Sequence, residues 1–234
     1  MLINAIIVNV STIILSLFLI QYMNTVPFEI SLFKNIKNKK FFFRRHGVYL
    51  IITSLIIMNI LGWALNYNIE SKEYILLSLV FMGLISLSFI DIRHFAVPQS
   101  MNMGTLFIAM YYLSLKNSFF IAFVDVATVI GALIIIVYSL EAIRDKFLMG
   151  EGDLIAMGSM FAILQDYKLL MVAVFVSSVV VAITLLSYAL KCLIENKKED
   201  IQKFKVPFIP YLTVGTLITI FYGNIILEYW VKFQ

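Results

Sequence analysis

Eight apolar runs, most of them near twenty residues long and separated by short polar turns, decide what this chain can become. They are Leu2–Met23, Gly47–Asn66, Tyr74–Ile90, Met101–Leu115, Phe119–Ile143, Leu154–Leu164, Leu169–Leu190 and Pro207–Trp230. A helix needs about 20 apolar residues to cross the ~30 Å hydrocarbon core of a bilayer. The pattern therefore predicts an all-α, polytopic transmembrane helical bundle of about eight spans, one integral membrane domain over residues 1–234. Composition supports this: 62% of residues are hydrophobic and 14% charged, with a mean hydropathy of +0.96. Soluble domains run at roughly 45–50% apolar and about 25% charged, so this chain lacks the polar residues to cover a water-facing surface. The first run follows no basic segment and contains no small-residue cleavage site, so it reads as a retained span.

Orientation follows from the basic residues, which concentrate in cytoplasmic loops. With the amino end outside, fourteen of the 18 Lys and Arg residues fall on the inner side, six of them in the 24–46 loop, and four fall outside (Lys72, Lys116, Lys168, Lys232). The short run Leu154–Leu164 must cross for this division to hold. Its 11 residues, at 1.5 Å each, cover only about half of the core, so a short or recessed crossing is expected.

A net charge of +4 raises the question of nucleic acid, but basic residues flanking apolar spans mark a membrane protein and no nucleic-acid partner is expected. Membrane lipids are the expected surroundings, and the basic 24–46 loop would favour anionic headgroups. Cys192 is the single cysteine, and the two histidines, His46 and His94, stand far apart, so no metal site is expected.

Acidic side chains are costly at membrane depth, and two of them end up on one face. Asp91 closes the third run in Ile90-Asp91-Ile92-Arg93-His94-Phe95-Ala96-Val97-Pro98, and Asp153 opens the sixth in Gly150-Glu151-Gly152-Asp153, at a helix start whose positive end can stabilise a carboxylate. Two crossings lie between them, so both return to the same side. Like charges about 4 Å apart at an effective dielectric of ~20 repel by roughly 4 kcal/mol, so such a pair would share one proton. One carboxylate then serves as general base on water while the other donates to a carbonyl oxygen. Gly150 and Gly152, lacking Cβ atoms, would let the backbone turn sharply and let a peptide approach. The alternative reading makes the two aspartates interfacial helix caps and the glycines a plain turn.

The other polar residues point elsewhere. Glu151 either tunes the pair or is a solvated loop acid; His94 either bonds Asp91 or faces headgroups. Glu141 can pair with Arg144 or reach the inner surface, and Asp125 would face protein. Trp63 and Trp230 suit an interfacial belt, while Gly83, Ser86, Ser88, Ser177 and Ser178 allow close helix packing.

The segment from Ile90 to Pro98 resembles the first aspartate motif of type IV prepilin peptidases. Gly150-Glu151-Gly152-Asp153 resembles their second, the GxGD signature of intramembrane aspartyl proteases. Val206-Pro207-Phe208-Ile209-Pro210-Tyr211-Leu212 is similar to the family's (I/V)PFGPYL element. The resemblance implies an aspartic endopeptidase with Asp91 and Asp153 as the catalytic pair. Gly150, Gly152, Glu151, Pro98, Pro207 and Pro210 would shape the site. It implies prepilin or pseudopilin substrates of type IV pili or protein secretion, cut after the glycine of a basic leader at the cytoplasmic face of the bacterial inner membrane.

Three positions depart from the family pattern: Ile209 replaces a glycine, Ile155 a lysine and Gln99 an aspartate or asparagine. The 24–46 loop has no cysteine pairs, where many members carry two. Peptide cleavage would need no cofactor, and S-adenosylmethionine would enter only with an N-methyltransferase activity, for which no matching motif is found. From the residues alone, a transporter or channel-like protein with structural or proton-carrying acids stays open, as does a GxGD protease for other signal peptides.

Overall fold

The computed structural model describes residues 9–10, 12–14, 16–17, 49, 51–60, 71–144, 149–195 and 206–232. Every regular element among them is helical: α1 (Ile51–Ile60), α2 (Ser71–His94), α3 (Gln99–Ser114), α4 (Phe119–Arg144), α5 (Glu151–Leu164), α6 (Tyr167–Ile194) and α7 (Ile209–Lys232). Residues 9–10, 12–14 and 16–17 are helical too. Most of the run Leu2–Met23, the basic loop 24–46 and Trp63 lie outside the described residues.

Four helices are long and apolar enough to cross a membrane: Lys72–His94, Phe119–Arg144, Tyr167–Ile194 and Ile209–Trp230. The chain is thus a multi-pass membrane protein. Contacts divide it into two compact units, Met1–Ser86 and Leu87–Gln234. In the first, Asn59 Nδ2 donates to Asn9 Oδ1 at 2.8 Å, and the Tyr74 hydroxyl donates to the Met58 carbonyl at 2.6 Å.

The second unit contains the GxGD segment, and its centre is the shortest helix. Helix α5 packs against α3, α4, α6 and α7 in turn, and Leu154, Ala156, Met157, Met160 and Ala162 are all buried. At 1.5 Å per residue, its 14 residues span about 21 Å. A helix walled in by longer ones need not match the bilayer, which is how so short a run is accommodated. Gly158 permits the closest approach: a Cβ there would lie 2.5 Å from Ile130 Cδ1 on α4 and 3.3 Å from Leu106 Cδ1 on α3.

Helices α6 and α7 form the most extensive pair, and again a glycine sets the distance. A Cβ on Gly215 would run into the Ser177 hydroxyl and approach the Ala173 carbonyl to 2.5 Å. Small residues at helix contacts allow this closeness. Ser177 does what the sequence suggested, whereas Ser178 is exposed. On α4, by contrast, Phe120, Ile135 and Ile143 are 74%, 68% and 78% exposed, a face suited to lipid. Near the end of α7, Trp230 meets Phe175 of α6 edge-on, ring centroids 5.4 Å apart.

The turns between helices are fixed by local chemistry. Ser118 caps α4 by accepting the Ile121 N–H, and Asp166 caps α6 by accepting the Lys168 N–H at 2.8 Å. Helices α2 and α5 each end on a residue in the left-handed region, Phe95 (φ 50°) and Gln165 (φ 58°). Their N–H groups close the final turns onto the Asp91 and Phe161 carbonyls.

Candidate active site

Asp91 lies in the last turn of α2 and is buried, 6% exposed. Its Oδ2 accepts the Ile209 N–H at 3.1 Å, and the Phe208 N–H also donates to it. These are free donors at the start of α7, where the first N–H groups of a helix have no partner within it. The carboxylate of one helix thus caps another. One turn deeper the same two helices meet again, with the Ser88 and Thr213 hydroxyls 3.0 Å apart.

Pro207 and Pro210 flank this contact. Proline lacks an N–H and is tolerated in the first turn, where that N–H would be unpaired, so Pro207 and Pro210 bracket the donors Phe208 and Ile209. Position 209, a glycine in the resembled motif, contributes its backbone N–H, and its isoleucine side chain is fully buried.

Asp153 occupies the third position of α5, whose N-cap is Gly150. Asp153 opens the helix, as the sequence suggested, and Glu151 and Gly152 belong to the same first turn. The Gly150 N–H donates back to the Asp153 carboxylate, the reciprocal arm of a capping box. Acidic residues in a first turn also meet the positive end of the helix.

Gly150 has φ −74° and ψ 146°, an extended conformation open to any residue, and no glycine among the described residues has positive φ. Neither glycine therefore uses the left-handed region that glycine opens. Openness is what they provide: a Cβ at Gly150 would sit 3.5 Å from Asp153 Oδ2, and one at Gly152 3.6 Å from Asn102 Nδ2.

Burial, foremost, and then repulsion from Asp91 push the Asp153 carboxyl up from 3.8 to about 6, against the opposing pull of the Gly150 N–H. The two aspartates therefore feel one another's charge.

The other acids singled out in the sequence stand apart from this pair. Glu151 is exposed, within 3.4 Å of the Tyr138 hydroxyl, and Glu141 accepts the Met149 N–H at 3.4 Å, anchoring the approach to Gly150. Asp125 is half-buried on α4, and His94 half-buried at the end of α2. Pro98 precedes α3 and its carbonyl accepts the Asn102 N–H.

Asn102 is the residue that sequence reasoning missed. It is 1% exposed, and its Nδ2 donates to the Gly152 carbonyl at 2.7 Å, next to Asp153. A signal existed: it is the single asparagine in the run Met101–Leu115, and a polar amide within an apolar span calls for a partner.

Residues 76–186 match the type IV leader peptidase family. The chain is 30% identical over 153 residues to a prepilin leader peptidase/N-methyltransferase of Legionella pneumophila, an alignment covering 64% of this chain and 50% of the relative. It thus spans about half the length of the curated relative it matches. No solved structure matches. The matched segment contains Asp91 and Gly150 to Asp153; Val206–Leu212 lies beyond it.

Proposed function

We propose, from the premise that residues 76–186 are a type IV leader peptidase segment, that this protein is an aspartic endopeptidase removing the basic leader from prepilins or pseudopilins. The observation that carries this reading is the raised Asp153 carboxyl, half-buried and repelled by Asp91. Two carboxyls in that relation hold a proton that one of them would ordinarily have lost.

In this mechanism the ionised Asp91, held by N–H groups at the amino end of α7, takes a proton from water as the oxygen attacks the scissile carbonyl carbon. Asp153 delivers its proton to the carbonyl oxygen. When the C–N bond breaks, the proton taken up by Asp91 passes to the leaving amine, the hydroxyl formed on the carbonyl oxygen returns its proton to Asp153, and both carboxyls regain their starting states. Neither step requires a cofactor. The arrangement of basic loops favours a site at the cytoplasmic face of the inner membrane, where a leader emerges from a lipid-embedded substrate helix.

The test is cleavage of a purified pseudopilin by the full chain in detergent, wild type against Asp91→Ala and Asp153→Ala. Product release after the leader glycine by the wild type alone supports the proposal. Cleavage surviving either substitution removes the two-aspartate mechanism.

A further inference from the structure

The geometry points to Asn102 as a positioning residue for Asp153, acting through the Gly152 carbonyl. This inference rests on the peptidase reading above and adds to it a residue that touches neither aspartate in the bonds described.

Three observations combine. First, the bond from Asn102 Nδ2 to the Gly152 carbonyl, at 2.7 Å, joins α3 to the first turn of α5. Second, that carbonyl does not need it: at the second position of α5, it is placed to accept the Ala156 N–H within the helix. The asparagine supplies an extra bond to an already partnered acceptor, so its effect is to fix the carbonyl's position. Third, Asn102 Oδ1 is buried with no hydrogen-bond partner among the described residues. Turning the amide over would set two oxygens against each other at Gly152, so the free oxygen is the consequence of the donated bond. An apolar side chain of the same shape would avoid burying that acceptor. Packing alone therefore does not call for asparagine here.

The first turn of α5 has particular need of an external hold. Its N-cap is a glycine with no side chain to accept the free N–H groups, and its acid is strained by burial and by Asp91. When ionised, Asp153 gains by swinging the turn towards water and away from Asp91, and Asn102 resists that motion. The other acids nearby leave this relation unchanged: Glu141 on α4 is bound to the Met149 N–H, and Glu151 on α5 faces outward beside Tyr138. Without Asn102, the Asp153 carboxyl should relax towards the ordinary carboxylate range.

Asn102→Leu tests this in the full-length protein in detergent. Cleavage is measured on a pseudopilin with a basic leader, a glycine and an uninterrupted hydrophobic helix. In parallel, dicyclohexylcarbodiimide, which modifies protonated carboxyls, is titrated against pH and its adduct on Asp153 read by mass spectrometry. The variant should melt no lower than wild type and keep KM within about twofold. Its kcat should fall by about ten- to a hundredfold, as expected for a displaced catalytic group. The labelling midpoint should move down from about 6 towards 3.8. Asn102→Ser, smaller and still polar, serves the same reading should the leucine variant fail to fold. An unmoved midpoint overturns the inference even if cleavage falls, because a merely structural role predicts that result; wild-type kcat with a lowered midpoint overturns it as well. Failure of the wild type to cleave sinks the peptidase reading instead, a distinct outcome that takes this inference with it.

Discussion

Asp91 and Asp153 are the same side chain set at opposite ends of helices. Asp91 closes α2, where the helix dipole disfavours a carboxylate, and it is rescued by the amino end of α7. Asp153 opens α5, where the dipole favours one, yet it keeps its proton to about pH 6. A dipole is worth about 0.3–1 kcal/mol at such positions. Moving a carboxyl from 3.8 to about 6 corresponds to roughly 3 kcal/mol. Burial and the neighbouring charge therefore outweigh the helix end, and the pair is asymmetric because, among the described residues, Asp91 has another helix's donors and Asp153 only the amide of Gly150.

The sharpest way to break this comparison is to remove either partner. Asp91→Ala and Asp153→Ala should each lower pseudopilin cleavage by about 10²–10⁴-fold, the range for general acid–base groups. A large loss at one position with a slight loss at the other would mean that one aspartate is only a cap.

The next effect is on pH dependence. Asp153 is the proton donor in the proposed cycle, so cleavage should fall as pH rises through about 6, where that proton is lost. A rate profile rising through the same interval would reverse the assignment of acid and base.

Stability should move in a related way. A carboxyl whose folded value is raised binds its proton more tightly in the folded state than in the unfolded one. Its ionisation therefore costs the fold nothing below 3.8, progressively more up to about 6, and the full amount above. Asp153→Asn should accordingly raise the melting temperature at pH 8, by an amount equivalent to at most ~3 kcal/mol, with the gain gone at pH 3.5. Equal gains at both pH values would show that the carboxyl is not strained.

A smaller effect belongs to the hydroxyl pair behind Asp91. Ser88→Ala or Thr213→Val should cost about 1 kcal/mol each in thermal melts. The double variant should cost less than the sum, since each single change already removes the shared bond.

Much of this was legible in the chain. The apolar runs foretold the helices because crossing a bilayer fixes their length. Asp91 and Asp153 stood out because charge is costly among such residues. The contact that seats Asp91 was hidden, since an N–H at Ile209 exists whatever the side chain, and nothing in a residue's identity marks it as a donor. Asn102 was hidden because its partner is a backbone carbonyl fifty positions away. The short run Leu154–Leu164 looked anomalous only because sequence does not reveal that four other helices surround it.

The smallest expected effect concerns the bend that carries the chain from Asp91 to Pro98. Phe95 adopts φ 50°, and its N–H closes the last turn of α2 on the Asp91 carbonyl. A left-handed conformation costs a non-glycine residue roughly 1–2 kcal/mol. Phe95→Gly releases that strain but also enlarges the freedom of the unfolded chain, which returns about 0.4–1 kcal/mol. Because the phenyl ring is 51% exposed, little packing is lost with it. The net change in a thermal melt should therefore stay within about 1 kcal/mol, with cleavage close to wild type. Phe95→Val should behave differently, since branching at Cβ makes positive φ harder to hold. It should melt lower and cleave more slowly, because the strained turn and Asp91 share a hydrogen bond. If both substitutions slow cleavage equally, the ring contributes to the site directly and the turn does not.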